Sequence, residues 1–265
     1  MDPLSGLQSM NALEISDLVK SYAGGPRVLD GVTLSLQEGT ITALLGLNGS
    51  GKTTTLRATL GLTSLERGTI AVLGKRIDPF SPQHKQHIGA VLDEPLYFDW
   101  LSGRESIRLH ARMRGLPERI AAERTAELLE FLNLADVQHE PIKTYSTGMK
   151  KKVSLATAII HRPPILILDE PFEGIDPLAA DDILQTLQLM ASQGTGILVT
   201  SHIFETVERL CSRVEILHNG KIELSCPTSE IMARATGTGE AGGLAGVFFE
   251  LVSPGRQHRP PRFLT

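Results

Sequence analysis

Cysteine is scarce: Cys211 and Cys226 are the only two in 265 residues. They form no metal-ligand cluster and no disulfide framework, a pattern that suits a reducing cytosol. Long apolar runs are absent as well. No stretch approaches the roughly 18 consecutive apolar residues that cross a bilayer. Met1 to Asn11 has neither the charged start nor the apolar core of a signal peptide. The expectation is a chain soluble by itself, whose membrane role, if any, runs through a partner. Excess positive charge is missing too. Lys and Arg number 26 against 30 Asp and Glu, a net charge of −4, which leaves no electrostatic footprint for nucleic acid. No internal repeat is visible. What is present is an ordinary hydrophobic share of 41%, enough for the buried core of one large α/β domain or a domain with a subdomain.

One stretch organises the rest: Gly46-Leu47-Asn48-Gly49-Ser50-Gly51-Lys52-Thr53, which reads G-x-x-x-x-G-K-[ST]. A β-rich apolar run, Thr40 to Leu45, precedes it, and Thr54 to Leu60 can form a helix after it. The glycines let the backbone bend tightly and bring its N–H groups to phosphate oxygens, and the helix adds its N-terminal partial charge. Lys52 would reach the β- and γ-phosphates and the Thr53 hydroxyl would ligate Mg²⁺. The plainer alternative is a glycine-rich turn between strand and helix.

Around that stretch the periodicity shifts twice. Leu13–Lys20, Val32–Leu36 and Gly68–Gly74 read as short antiparallel strands, and Ile88–Leu92 as a compact apolar one. From about Ser102 to Arg162 helical patterns take over. Ser102 with Glu105 makes a capping box, Pro117 suits a first helical position, and Ile120, Leu128, Leu129 and Leu132 supply an apolar face. Unbroken apolar runs return at Ile165–Leu168 and Gly196–Thr200, as in parallel strands covered on both faces, with a helix over Pro177–Met190 between them. Asn219-Gly220 turns a hairpin, and Ser229–Ala235 reads as a short helix. Gly237–Gly246 reads as linker and Ser253–Thr265 as a disordered end.

Ile165-Leu166-Ile167-Leu168 ends in Asp169-Glu170. An Asp at the carboxyl edge of an apolar strand is the Mg²⁺-side partner of a phosphate loop, and Glu170 is placed to act as general base on an attacking water. Alone, the pair could be a solvated acidic turn. Between loop and strand lies Tyr145-Ser146-Thr147-Gly148-Met149, which resembles the signature motif of ATP-binding cassette (ABC) ATPases, usually L-S-G-G-Q. Tyr145 replaces Leu, Thr147 the first Gly and Met149 the Gln, while Ser146 and Gly148 are kept. The form Y-S-x-G-M looks like exporter-branch cassettes that work with separate membrane subunits. Ser146 also suits a helix N-cap, and both readings can hold.

The resemblance covers roughly residues 13–252. It implies an α/β fold: a P-loop NTPase core of mostly parallel sheet with helices on both faces, an antiparallel β subdomain, and an inserted α-helical subdomain at about 102–162. One ATPase domain would span 1–252. Tyr22 matches the aromatic that stacks on adenine, with a packed strand-end Tyr as the alternative. Gly46 through Thr53, Thr54, Ser146 and Gly148 match nucleotide contacts, and Gly174-Ile175-Asp176 matches the loop that crosses to a partner cassette. Thr200-Ser201-His202 matches the switch histidine, so Glu170, His202 and Lys52 would carry catalysis. Thr53 and Asp169 would hold Mg²⁺ beside ATP. Asp93 stands where the family has Gln, and a carboxylate there can ligate Mg²⁺ directly. Tyr97 to Trp100 matches the border of the groove that receives a membrane partner. Lys150-Lys151-Lys152 reads as a solvated helix face.

The implied working unit is a head-to-tail homodimer with two ATPs at its interface. It would drive export through integral membrane subunits from the cytoplasmic face of the cell membrane, with no nucleic acid involved. Two other readings stand beside it, a soluble non-transport ABC ATPase and a weakly hydrolysing regulatory partner.

Overall fold

The structure, a computed structural model, describes residues 11–78, 81–92, 98–235 and 243–253. Strands β1 (Asn11–Ser21) and β2 (Arg27–Gln37) pair antiparallel, and β3 (Ile41–Leu45) runs into the phosphate loop and helix α1 (Lys52–Thr59). β4 (Arg67–Val72) pairs with β1 and with the two-residue β5 (Lys75–Arg76), giving an antiparallel sheet in the order β2-β1-β4-β5. A 3₁₀ turn at Pro82–His87 leads into β6 (Ile88–Val91). Helices α2 (Gly103–Met113), α3 (Glu118–Phe131) and α4 (Thr147–Ile159) follow. β7 (Ile165–Leu168), α5 (Pro177–Ser192), β8 (Gly196–Thr200), α6 (Phe204–Leu210), β9 (Arg213–His218) and β10 (Lys221–Pro227) complete a second sheet, ordered β10-β9-β3-β8-β7-β6. α7 (Thr228–Ala235) and α8 (Leu244–Val252) end the described chain. Strands β9, β3, β8, β7 and β6 are all parallel neighbours, and only the β9–β10 hairpin is antiparallel. β3 therefore belongs to the parallel sheet, although in sequence it sits among the antiparallel strands.

The apolar runs explain this layering. Every residue of β3, β7 and β8 is buried, because both faces of the parallel sheet are covered. On one face Ala43, Leu45, Leu166 and Val199 pack with α5, α6 and α8. On the other, Leu44, Ile165, Ile167 and Leu198 pack with α1 and the antiparallel sheet. A fully buried strand leucine such as Leu44 is worth about 2–5 kcal/mol against alanine. α4 is apolar on two sides: Leu155, Ala158 and Ile159 join the sheet core, while Val153, Ala156 and Ile160 join a separate core with α2 and α3. The helix that follows Ser146 is thus the shared beam between the sheet and the helical layer.

Several local signals read from the sequence appear in place. Ser102 and Glu105 form the reciprocal capping box, with N···O distances of 3.2 and 2.8 Å. Asn219 and Gly220 both take positive φ, as a tight hairpin turn requires. Three readings shift. α3 starts at Glu118, one residue after Pro117. The stretch read as linker to Gly246 holds the start of α8, whose Leu244 and Phe248 are buried. The lysine run is not a solvated face: Lys152 is buried and ion-paired with Asp182, and the Lys151 ammonium donates to the Glu170 carbonyl at 2.6 Å.

Candidate functional site

The phosphate loop leaves the carboxyl end of β3 and closes on α1. Gly46 sits so tightly that a Cβ there would lie 2.3 Å from Ser50 Oγ and 2.5 Å from the Leu217 carbonyl. Gly51 has φ +112°, a left-handed value that side chains avoid. The Lys52 ammonium donates to the Gly46 carbonyl at 2.8 Å and reaches the Leu47 carbonyl at 3.5 Å. The Ser50 hydroxyl is buried without a hydrogen-bond partner among the described residues.

Across the sheet, β7 and β8 deliver the acidic side. Thr53 Oγ1 donates to Asp169 Oδ2 at 3.0 Å, and Thr200 Oγ1 donates to Asp169 Oδ1 at 2.6 Å. The same Thr200 oxygen accepts from the Glu170 amide at 2.9 Å. Glu170 takes a left-handed φ of +46°, a conformation held by that bond and by Lys151 on its carbonyl. Its carboxylate meets His202 Nδ1 at 3.0 Å. Burial pushes the Glu170 carboxyl above the usual range, opposed by His202 and Lys52 and reinforced by Glu173. Ligand atoms of Glu170, Glu173 and His202 lie within 4.8 Å of one another. Lys52, Thr53, Asp169, Glu170 and His202 line one cleft of about 830 Å³.

The other candidate residues lie elsewhere or at the rim. Leu47 and Asn48 line the cleft from the loop. Tyr22 is exposed beside α1, where the Thr54 hydroxyl holds its phenol below the usual value. At 45% exposure Tyr22 is no core tyrosine, and the Lys20 ammonium lies 4.9 Å from its ring centre. Ser146 and Gly148 do not line the cleft. Ser146 is exposed and caps α4, its Oγ accepting from the Met149 amide at 3.2 Å. Gly148 is buried, and a Cβ there would lie 2.8 Å from Ala179 Cβ, so the signature packs on the start of α5. Tyr145, the aromatic in the position of the usual Leu, is buried in the helical core and donates to the Val137 carbonyl at 2.6 Å. Asp93 and Tyr97 lie outside the described residues; Phe98 and Trp100 are exposed, their rings 5.1 Å apart.

A family profile described as ABC transporter matches residues 29–173, more than half of the chain. The chain belongs to the ABC transporter ATP-binding family. The linearmycin resistance ATP-binding protein LnrL of Bacillus subtilis (strain 168) is 34% identical over 225 residues, 85% of this chain and 72% of that protein. The Nod factor export ATP-binding protein I of Cupriavidus metallidurans (strain ATCC 43123 / DSM 2839 / NBRC 102507 / CH34) is 37% identical over 209 residues, 79% of this chain and 69% of that protein. A solved structure of an ATP-binding subunit of an ABC transporter superposes with a TM-score of 0.82 at 34% identity, covering 91% of this chain and 99% of that one. This cassette is therefore an ATPase subunit of the transporter class with the P-loop α/β fold.

The donor set of the cassette fits its nucleotide. A buried orphan hydroxyl at Ser50 and an ammonium at Lys52 face a loop too tight for side chains, as an anionic phosphate requires. A hydroxyl and a carboxylate meeting at Thr53 and Asp169 are the hard oxygen donors that Mg²⁺ prefers. Four participants were not singled out from sequence: Thr200 as the clamp on both acids, Glu173, Lys151, and the aromatic wall of Phe204, Phe248 and Phe249. Thr200 alone had a visible signal, a hydroxyl closing a buried strand.

Proposed function

We propose that this cassette binds ATP with Mg²⁺, hydrolyses it, and powers export through separate transmembrane subunits, as half of a head-to-tail homodimer. The observation that carries the catalytic part is the Glu170–His202 contact at 3.0 Å beside the Thr53–Asp169 pair. Glu170 takes the proton of the attacking water as its oxygen bonds to the γ-phosphorus and the bond to the bridging oxygen breaks. A carboxyl pushed upward by burial is a better base for that proton. His202 donates to the γ-phosphate and orients Glu170, while Lys52 offsets charge on the β- and γ-oxygens. Thr53 and Asp169 hold Mg²⁺, which when bound stabilises the phosphate charge. Tyr22 stacks on the adenine.

Ser146 and Gly148 contact the nucleotide of the partner cassette. An exposed helix N-terminus outside its own chain's cleft supports that role, because such an end attracts anions. ATP then favours the closed pair and hydrolysis releases it. The domain spans 1–252 in this reading. No helix among the described residues is long and apolar enough to cross a membrane; a peripheral place on the cytoplasmic face is supported by membership of the transporter ATP-binding family. Export is supported by relatives named for Nod factor export and linearmycin resistance. Phosphate release by the purified protein, compared with Glu170→Gln, tests hydrolysis; equal rates would remove the catalytic claim. Recovery from membranes in gentle detergent without an integral membrane protein would remove the transport claim.

A further inference from the structure

The C-terminal helix α8 forms a wall of the catalytic cleft. Phe248 and Phe249 line it together with Phe204 and with Gly46, Leu47 and Asn48 of the phosphate loop. The three rings form one cluster: Phe204 lies 5.0 Å from Phe248 and 5.9 Å from Phe249, and those two lie 5.7 Å apart, all in tilted or edge-on geometry. Phe204 is two residues beyond His202 and is the first residue of α6. One turn later on the same helix face, Glu208 Oε1 accepts from the Leu244 amide at 2.7 Å, at the first residue of α8. Gly243 before it takes φ +114°, and a Cβ there would approach Glu208 Oε1 at 3.0 Å. α8 therefore grips α6 at two points, one aromatic and one polar.

α6 needs such a grip. It has seven residues, and its N-cap residue Ile203 makes no side-chain capping bond. A helix this short depends on packing: Val207 and Leu210 fix its body in the sheet core, while its start meets α8. The segment that carries His202 is anchored on one side by Thr200, through Asp169. On the other side the Ile203 amide donates to Ser201 Oγ at 3.0 Å, and Ile203 and Phe204 pack against the sheet core. His202 itself is 55% exposed, with Glu170 as its hydrogen-bond partner. Phe249 is 56% exposed at the rim of the cleft, and its ring contacts are Phe204 and Phe248.

We infer that α8 is a positioning element for the switch histidine: Phe249 and Phe248, through Phe204, with Glu208 as the second tie, hold the α6 start so that His202 meets Glu170 and the γ-phosphate. The inference rests on the ATPase reading, and α8 residues touch neither water nor phosphate in it. Phe249→Ala is the direct test, since the ring is exposed. The expected result is a fall of about tenfold in kcat, within what small misplacements produce, with KM for ATP changed less than twofold. Phe249→Tyr restores kcat, and Glu208→Ala repeats the loss through the other tie. In NMR of the full chain, the His202 imidazole resonance, assigned by its loss in His202→Ala, shifts or doubles in Phe249→Ala.

A Phe249→Ala enzyme with wild-type kcat overturns the inference. So does a fall of kcat with a matching loss of ATP-dependent dimer, which would make Phe249 an interface residue. If Phe249→Ala does not fold, Glu208→Ala decides by the same kinetic criteria. If wild-type protein releases no phosphate, the ATPase reading fails, and an unmoved His202 resonance then sinks the positioning claim separately.

Discussion

The cleft and the signature end are built in opposite ways. At the cleft, polar side chains close on one another over long stretches of chain: Thr53 reaches Asp169 across 116 positions and Glu170 reaches His202 across 32. At the signature, the Ser146 hydroxyl reaches an amide three positions away, within its own helix. Folding alone brings the first set together, because β3, β7 and β8 are adjacent parallel strands that present their carboxyl ends on one edge. Folding leaves Ser146 facing outward, with Gly148 buried behind it against Ala179, on a helix packed from two sides. A site assembled from within is suited to a base and a metal; an outward helix end is suited to a ligand brought by something else.

The largest effect that sharpens this contrast is expected at Glu170. Glu170→Gln would remove the proposed proton acceptor and should lower kcat on the order of 10²–10⁴-fold, as loss of a general base does, while nucleotide affinity stays within a few-fold. Phosphate release with a fluorescent-nucleotide binding curve checks both. Ser146→Asp comes next. Aspartate caps a helix as well as serine does, so Tm should hold, but it places a carboxylate where the partner's phosphate is expected. Like charges brought together across an interface cost several kcal/mol, so phosphate release should fall by about 10²-fold or more. Unchanged release would show that the signature faces no phosphate.

Thr200→Val is a same-shape probe of the long-range network. It removes the bonds to Asp169 and to the Glu170 amide, and bonds to a charged group are worth about 1.5–3 kcal/mol. A matching loss in denaturant unfolding is expected, whereas Ser146→Asp should show none. The smallest effect concerns pH. The Glu170 carboxyl lies above its usual range, so activity should fall on acidification before an ordinary carboxylate would protonate. Glu173 contributes to that upward shift, so Glu173→Gln should move the acid limb of kcat to lower pH. A limb that stays in place would separate Glu173 from the base.

The contrast also explains which parts were legible in the sequence. The phosphate loop, the Asp169–Glu170 strand end, the Ser102 and Ser146 caps and the Asn219-Gly220 turn are local patterns, each recognisable within a few consecutive positions even where the partners are distant. The parallel core was legible because β7 and β8 are short apolar runs without polar alternation. Thr200 was visible as a strand end, but its bonds to both acids, like the Lys151 bond to the Glu170 carbonyl and the place of Glu173 beside His202, exist only once β7, β8 and α4 meet. Lys152 followed the same logic: a run of three lysines reads as solvated until Asp182 of α5 arrives to pair with the buried one. α8 was hidden by its setting. Glycines crowd its start, its cap is Gly243 with no side-chain bond, and its N-terminal acceptor comes from Glu208 on another helix. Tyr145 departs from the usual signature for a reason that needs the structure, since its ring fills the helical core and its hydroxyl finds the Val137 carbonyl.

The central claim is that one chain holds a finished catalytic edge and an unfinished ATP site. Sedimentation velocity of the Glu170→Gln protein, run with and without ATP and Mg²⁺, tests it most directly. The account requires a monomer without nucleotide and a dimer with it. A monomer under both conditions would contradict it.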